Sequence, residues 1–107
     1  MPDHIWLRSC HLIVPHYLAE MIFKKSATAY VSFNDAQRKI LVSPTSNHWF
    51  PKIHVSKEYL LKEKDLNGTK SIGIRELIID HGISENDREL RLEINENKSF
   101  IKVNLNQ

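Results

Sequence analysis

Cysteine is nearly absent from this chain: Cys10 stands alone among 107 residues. A lone thiol excludes an internal disulfide and fits a reducing, cytoplasmic setting. Glycine is almost as scarce. Gly68, Gly73 and Gly82 are too few for a Gly-rich loop around a phosphate. No apolar run approaches the roughly 18 residues that a membrane-spanning helix needs. The opening MPDHIWLRSCHLIVP has no long apolar core and no small-residue cleavage site, so no signal peptide is expected. An excess of one charge is missing too: 15 basic and 13 acidic residues give a net charge of +2, with no block of like charges. That balance neither demands nor excludes nucleic acid. C-x-x-C and H-E-x-x-H do not occur, and the six histidines (His4, His11, His16, His48, His54, His81) include no helical i, i+4 pair. No metal site or cofactor is expected. A Cys10–His11 dyad would need another imidazole to reach the thiol, because strand neighbours face opposite ways. Glu93 and Glu96 lie on a hairpin facing solvent, so no enzyme is expected.

What the chain does contain is alternation. Leu90, Leu92 and Ile94 interleave with Glu89, Arg91 and Glu93, the period-two signature of a half-buried strand. Asn95–Lys98 is a polar turn, and Phe100, Ile101 and Val103 carry the returning strand. A short strand at Lys70–Ile74 and a short helix at Arg75–His81 precede this hairpin, with Gly82 as the residue after the helix. Ser84–Asp87 has capping-box spacing but stands directly before a strand, so a tight turn is expected.

The same plan occurs earlier. His11–Pro15 sets against Lys70–Ile74 at an offset of 59 (70 − 11), and Ala29–Asp35 against Leu90–Glu96 at an offset of 61 (90 − 29). Ile40 and Val42 fall on Ile101 and Val103 at that second offset. Matched order of this kind suggests an internal repeat. The first half then reads as an extended lead-in at 1–8, a strand at Ser9–Val14, a helix at His16–Lys25 opened by Pro15, and a hairpin of Thr28–Phe33 and Lys39–Ser43. Asn34–Gln37 supplies the hairpin turn. The connector, 44–68, carries Trp49 and Phe50, a helix at Lys57–Lys64 capped by Ser56, and a stop at Asp65–Gly68.

The expected architecture is therefore one α+β, mostly β domain over 1–107. It is a small barrel of two pseudo-repeated strand–helix–hairpin units, 9–43 and 69–104, joined by a helical connector. Cys10 is expected as a small strand residue.

Strand, short helix, Gly-Ile, polar turn and hairpin together resemble the swapped-hairpin family of AbrB and SpoVT-type transcription regulators. Their pattern is approximately R-x-x-I-P-x-E-[IL]-R-x-x-L-G-I-x-x-G-D-x-[LV]. Glu76-Leu77, Gly82-Ile83 and Asp87 with Leu90 match parts of it, and Ile13-Val14-Pro15 resembles its I-P step. Two units in one chain are similar to MraZ. The chain departs at Ile74, where the pattern has Pro, and at Ile78, where it has Arg. The MraZ signature D-x-[KR]-G-R is absent. The resemblance implies binding of double-stranded DNA through basic side chains on one face, here Arg8, His11, Lys70 and Arg75, with marked salt dependence. Self-assembly into a homo-oligomer would raise avidity. The alternative is a protein-interaction or assembly module that keeps the barrel and engages a partner through Trp49, Phe50 and Ile53. The same aromatics could instead plug one end of the core.

Overall fold

Inward and outward residues alternate along most of the strands, and a sheet with one apolar face curls until that face is enclosed. In this computed structural model, which describes residues 3–24, 26–95, 97 and 99–105, β1 (Asp3–Arg8) buries Ile5 and Leu7 and exposes Trp6 and Arg8. β2 (His11–Val14) buries Leu12 and Val14, and β8 (Arg88–Ile94) buries Leu90 and Leu92. The remaining strands are β3 (Thr28–Asn34), β4 (Lys39–Pro44), β5 (Lys57–Leu60), β6 (Lys62–Glu63), β7 (Lys70–Gly73) and β9 (Ile101–Asn104). They form a single antiparallel sheet in the order β5-β3-β4-β9-β8-β1-β2-β7-β6. The two outermost strands are consecutive in the chain, with Leu61 between them. The ends of the sheet therefore meet, giving a small, mostly β, nearly closed nine-stranded antiparallel barrel.

Helical segments add to the core. α1 (His16–Leu18) runs on into a π-helical turn, Ala19–Phe23, and together they bury Leu18, Ala19, Ile22 and Phe23. α3 (Arg75–Asp80) buries Leu77 and Ile78, and Gly82 follows it at φ +61, where a left-handed conformation suits glycine. α2 (Phe50–Ile53) packs elsewhere. Leu41 faces outward between the inward Ile40 and Val42, and Phe50, Phe100 and Tyr30 gather over it as a second, smaller apolar cluster. No described helix is long and apolar enough to cross a membrane.

Several sequence expectations are corrected. Residues 3–8 are a strand hydrogen-bonded to both β8 and β2, because Ile5 and Leu7 supply a second inward row. Ser9 and Cys10 are the turn of the β1–β2 hairpin, not strand. Both have positive φ (49° and 63°), as a two-residue type I′ turn requires. The first helix ends at Phe23, and Lys24 has left the helical region at φ 48. No helix forms at 57–64. Tyr59 and Leu61 turn inward while Glu58 and Leu60 turn out, and the two sheet edges that this segment bridges outweigh its helical composition. Ser56 caps nothing: its Oγ is buried without a hydrogen-bond partner. At Ser84–Asp87 the Asn86 N–H donates to Ser84 Oγ at 3.3 Å. The β8–β9 turn rests on Asn95, whose Oδ1 accepts from the Ser99 and Phe100 N–H groups at 2.7 and 2.9 Å. Glu96 and Lys98 of that turn, and Lys25, lie outside the described residues.

Leu61 is 6% exposed and Leu60 61% exposed, though adjacent. Leu61→Ala should cost about 2–4 kcal/mol by chemical denaturation, and Leu60→Ala well under about 1 kcal/mol. Glu93 accepts a 2.8 Å hydrogen bond from Lys39 Nζ, which holds its carboxyl below the usual 4.5. That stabilisation is complete above the ordinary glutamate pKa and is lost as pH falls through the lower folded value. Because the pair is half exposed its contribution is small, and Glu93→Gln should flatten the acid limb of stability against pH slightly.

Candidate interaction surface

Directly opposed residues of antiparallel strands point to the same side of a sheet, so register identifies what shares a face. Trp6 lies opposite Glu89 on one side and Ile13 on the other; Ile13 lies opposite Ser71, and Ser71 opposite Lys62. The neighbouring row runs from Arg8 to His11 to Gly73. All of these face away from the core. Lys64 joins Arg8, Ser9, His11, Ile13, Ser71 and Asp87 around a shallow concavity of about 430 Å³.

The parts are held in place locally. The Ser9 N–H donates to Asp87 Oδ1 at 2.8 Å, fixing the β1–β2 turn against the entry to β8. The Arg8 guanidinium lies 4.5 Å from the centroid of the Trp6 ring, a cation–π contact that lays the side chain along the sheet. His11 Nδ1 is 2.9 Å from the Ser9 carbonyl oxygen, which can only accept, so Nδ1 carries the proton. The imidazole lies across β7 where a side chain is missing: a Cβ at Gly73 would come within 3.3 Å of His11 Nε2. Among the described residues, none of the ion pairs involves Arg8, Lys62 or Lys64.

The four basic residues expected from the sequence divide. Arg8 and His11 are direct neighbours on the outer face. Lys70 is opposite the inward Val14, at the rim of the barrel, with its Nζ 3.4 Å from Glu63 Oε1. Arg75 opens α3 and pairs with Glu85 at 3.5 Å, and that carboxylate also accepts from Cys10 Sγ at 3.6 Å. Lys62, Lys64, Ser71 and Trp6 were missing from the expected set. The Lys-Glu-Lys alternation of 62–64 was a signal for them, hidden by reading that stretch as a helix.

The aromatic loop is also divided. Asn47 Nδ2 donates to Ser43 Oγ at 3.0 Å and to the Ser99 carbonyl at 2.7 Å, pinning the connector onto the outside of the sheet. Phe50 is wholly buried, stacked with Tyr30 and edge-on to Phe100. It plugs the outer face of the sheet and offers no surface to a partner. Trp49 is half-covered against Phe100, and Ile53 reaches solvent. Among the described residues, no three His, Cys, Asp or Glu side chains gather to hold a metal ion.

No protein-family model, curated protein or solved structure matches this chain.

The turn that presents Arg8 and His11 has an unfavourable residue at its first position, since type I′ turns favour Asn-Gly. Ser9→Asn should stabilise the protein by about 0.5 kcal/mol in a denaturant titration, because Asn tolerates positive φ better than Ser.

Proposed function

We propose that the chain is a cytoplasmic DNA-binding regulator of the AbrB, SpoVT and MraZ type, built as two copies of one unit. It would grip duplex phosphates with the outer face of β1, β2, β7 and β6. The carrying observation is the convergence of Arg8, His11, Lys62 and Lys64 on that face, with Trp6 among them. The arginine and lysines would neutralise phosphates without reading sequence.

The two-copy reading draws support from the strand order. Exchanging β1 with the β5–β6 segment, β2 with β7, β3 with β8 and β4 with β9 returns the same order once the ends are joined. Inward positions correspond as well. Ala29, Val31 and Phe33 match Leu90, Leu92 and Ile94, while Ile40 and Val42 match Ile101 and Val103. For the short strands the match is Leu12 with Ile72, which lie opposite each other and both face inward. The offset of 59 would instead set the buried Leu12 against the half-exposed Ser71. The unit then gains its first strand, β1 in one copy and the β5–β6 segment in the other, and the connector shrinks to the loop and α2. In this correspondence Leu7 matches Leu61 and Arg8 matches Lys62. The two cations flank the β2–β7 pair as symmetry mates, which suits a two-fold-symmetric duplex.

The assembly-module reading has its own support. Lys70 and Arg75 are paired with Glu63 and Glu85, and Trp49 and Ile53 are exposed apolar side chains at α2.

Binding to mixed duplex DNA decides between them. With about three phosphates neutralised, affinity should fall about 40-fold for a fourfold rise in salt. Arg8→Glu/Lys62→Glu should abolish the complex and Lys70→Glu/Arg75→Glu should leave most of it. If no complex forms at low salt, the DNA reading fails and the assembly reading takes its place.

A further inference from the structure

A separate cleft of about 220 Å³ opens between β3, β5 and α3, away from the cationic face. Val31, Phe33, Val55 and Leu77 give it apolar walls; Ser56, Lys57, Tyr59, Asp80 and His81 give it polar ones. The apolar walls are continuous with the main core, since Val31 and Leu77 belong to it and Phe33 and Tyr59 pack on it. The His81 ring lies against Phe33, with centroids 4.2 Å apart.

Two carboxylates, Glu76 and Asp80, and the cation of Lys57 flank it. Glu76 and Asp80 both project from α3 beside Tyr59. Burial first, and then these two carboxylates, push the phenol pKa up, so Tyr59 stays a neutral hydroxyl at physiological pH. Lys57 partly offsets Glu76 from 4.0 Å, in a solvent-exposed pair. Arg38 approaches the far side of the group, 5.3 Å from the Phe33 centroid and 3.5 Å from the His81 carbonyl oxygen, but it is engaged by Asp35 at 3.3 Å. Asp80 makes no ion pair among the described residues. Ser56 Oγ, on the cleft wall, is buried with nothing to bond. A buried hydroxyl without a partner is costly and is satisfied by a ligand's N–H or O–H.

We propose that this cleft binds a small organic amine, its protonated amino group held by Asp80 at the rim and its apolar body buried against Val31, Phe33 and Leu77. The size follows from the volume. A cavity of about 150 Å³ holds a benzene ring, so this one takes a single ring with a short arm and is too small for a drug-sized ligand. The charge follows from Asp80, which makes no ion pair among the described residues, whereas Lys57 on the same wall is matched by Glu76; Ser56 Oγ and the Tyr59 hydroxyl supply polar partners along the wall.

The test is a two-dimensional NMR titration of the full chain, without DNA, using three probes of nearly equal shape: phenethylamine, phenylethanol and phenylacetate. Phenethylamine should shift the resonances of Tyr59, Leu77 and His81 saturably, and bind about fivefold tighter than phenylacetate. Asp80→Asn, at an exposed position whose fold the same spectra verify, should erase that preference and leave the weak binding of phenylethanol unchanged. No saturable shift, equal binding of phenylacetate, shifts centred on Trp49, or an intact preference in Asp80→Asn would each overturn the proposal.

Discussion

The barrel depends on one short stretch, Lys57–Glu63, that pairs with two strands at once. Its first half bonds to β3 and its second half to β7, and Leu61 between them points into the core. Without it, β3 and β7 would be bare edges, open to pairing with other chains. With it, the two ends of the sheet are tied by covalent chain, and closure costs no long loop. Short hairpins elsewhere in the sheet reinforce this: Ser9-Cys10 joins β1 to β2 in two residues, and Asn95 clamps β9 onto β8 through its own side chain.

Closure decides where function can be. The interior is filled by Ile, Leu and Val side chains, so recognition must happen outside or at the seams. On the outside, chemistry is sorted by register. A lysine one residue along a strand changes sides, as Lys62 and Glu63 show: one faces outward and the other meets Lys70 at the rim. Charge counts along the sequence therefore say little about charge on a face. The near-neutral total conceals an outer face where Arg8, Lys62 and Lys64 stand clear of the ion pairs formed by the described residues.

The sequence was legible where local and tertiary preferences agree. The alternation of 89–94 specified β8 and its buried face, and Gly82 marked the end of α3. Thr28–Phe33 and Lys39–Ser43 gave the second hairpin within a residue. It was illegible where tertiary pairing overrides composition. Lys57–Lys64 is rich in Lys, Glu and Leu, good helix formers, and only the open edges of β3 and β7 make it a strand. The same holds for 3–8, whose inward row is just Ile5 and Leu7. Both stretches bear on the candidate surface: without β6 Lys62 has no place opposite Ser71, and without β1 Trp6 has none opposite Ile13. Phe50 carries a different lesson. Its neighbours suggested a binding loop, but Leu41, an outward residue on β4, needed a cover.

Symmetry and its failure separate the two candidate sites. On the two-unit reading, Arg8 and Lys62 occupy equivalent places, so a basic surface astride β2 and β7 follows from duplicating one unit. On the same reading, the cleft proposed to take an amine lies where the two units would differ. β1 is a single strand that bonds to β8 and β2 along its length, whereas its counterpart divides at Leu61, and β5 has no ladder to β7 among the described residues. The gap beside β5 is where Tyr59 faces α3. A duplicated surface suits a repetitive, symmetric ligand such as a duplex. An unduplicated cleft suits one small molecule per chain, and a ligand wedged there would bear on Tyr59, two residues from the Leu61 that closes the barrel.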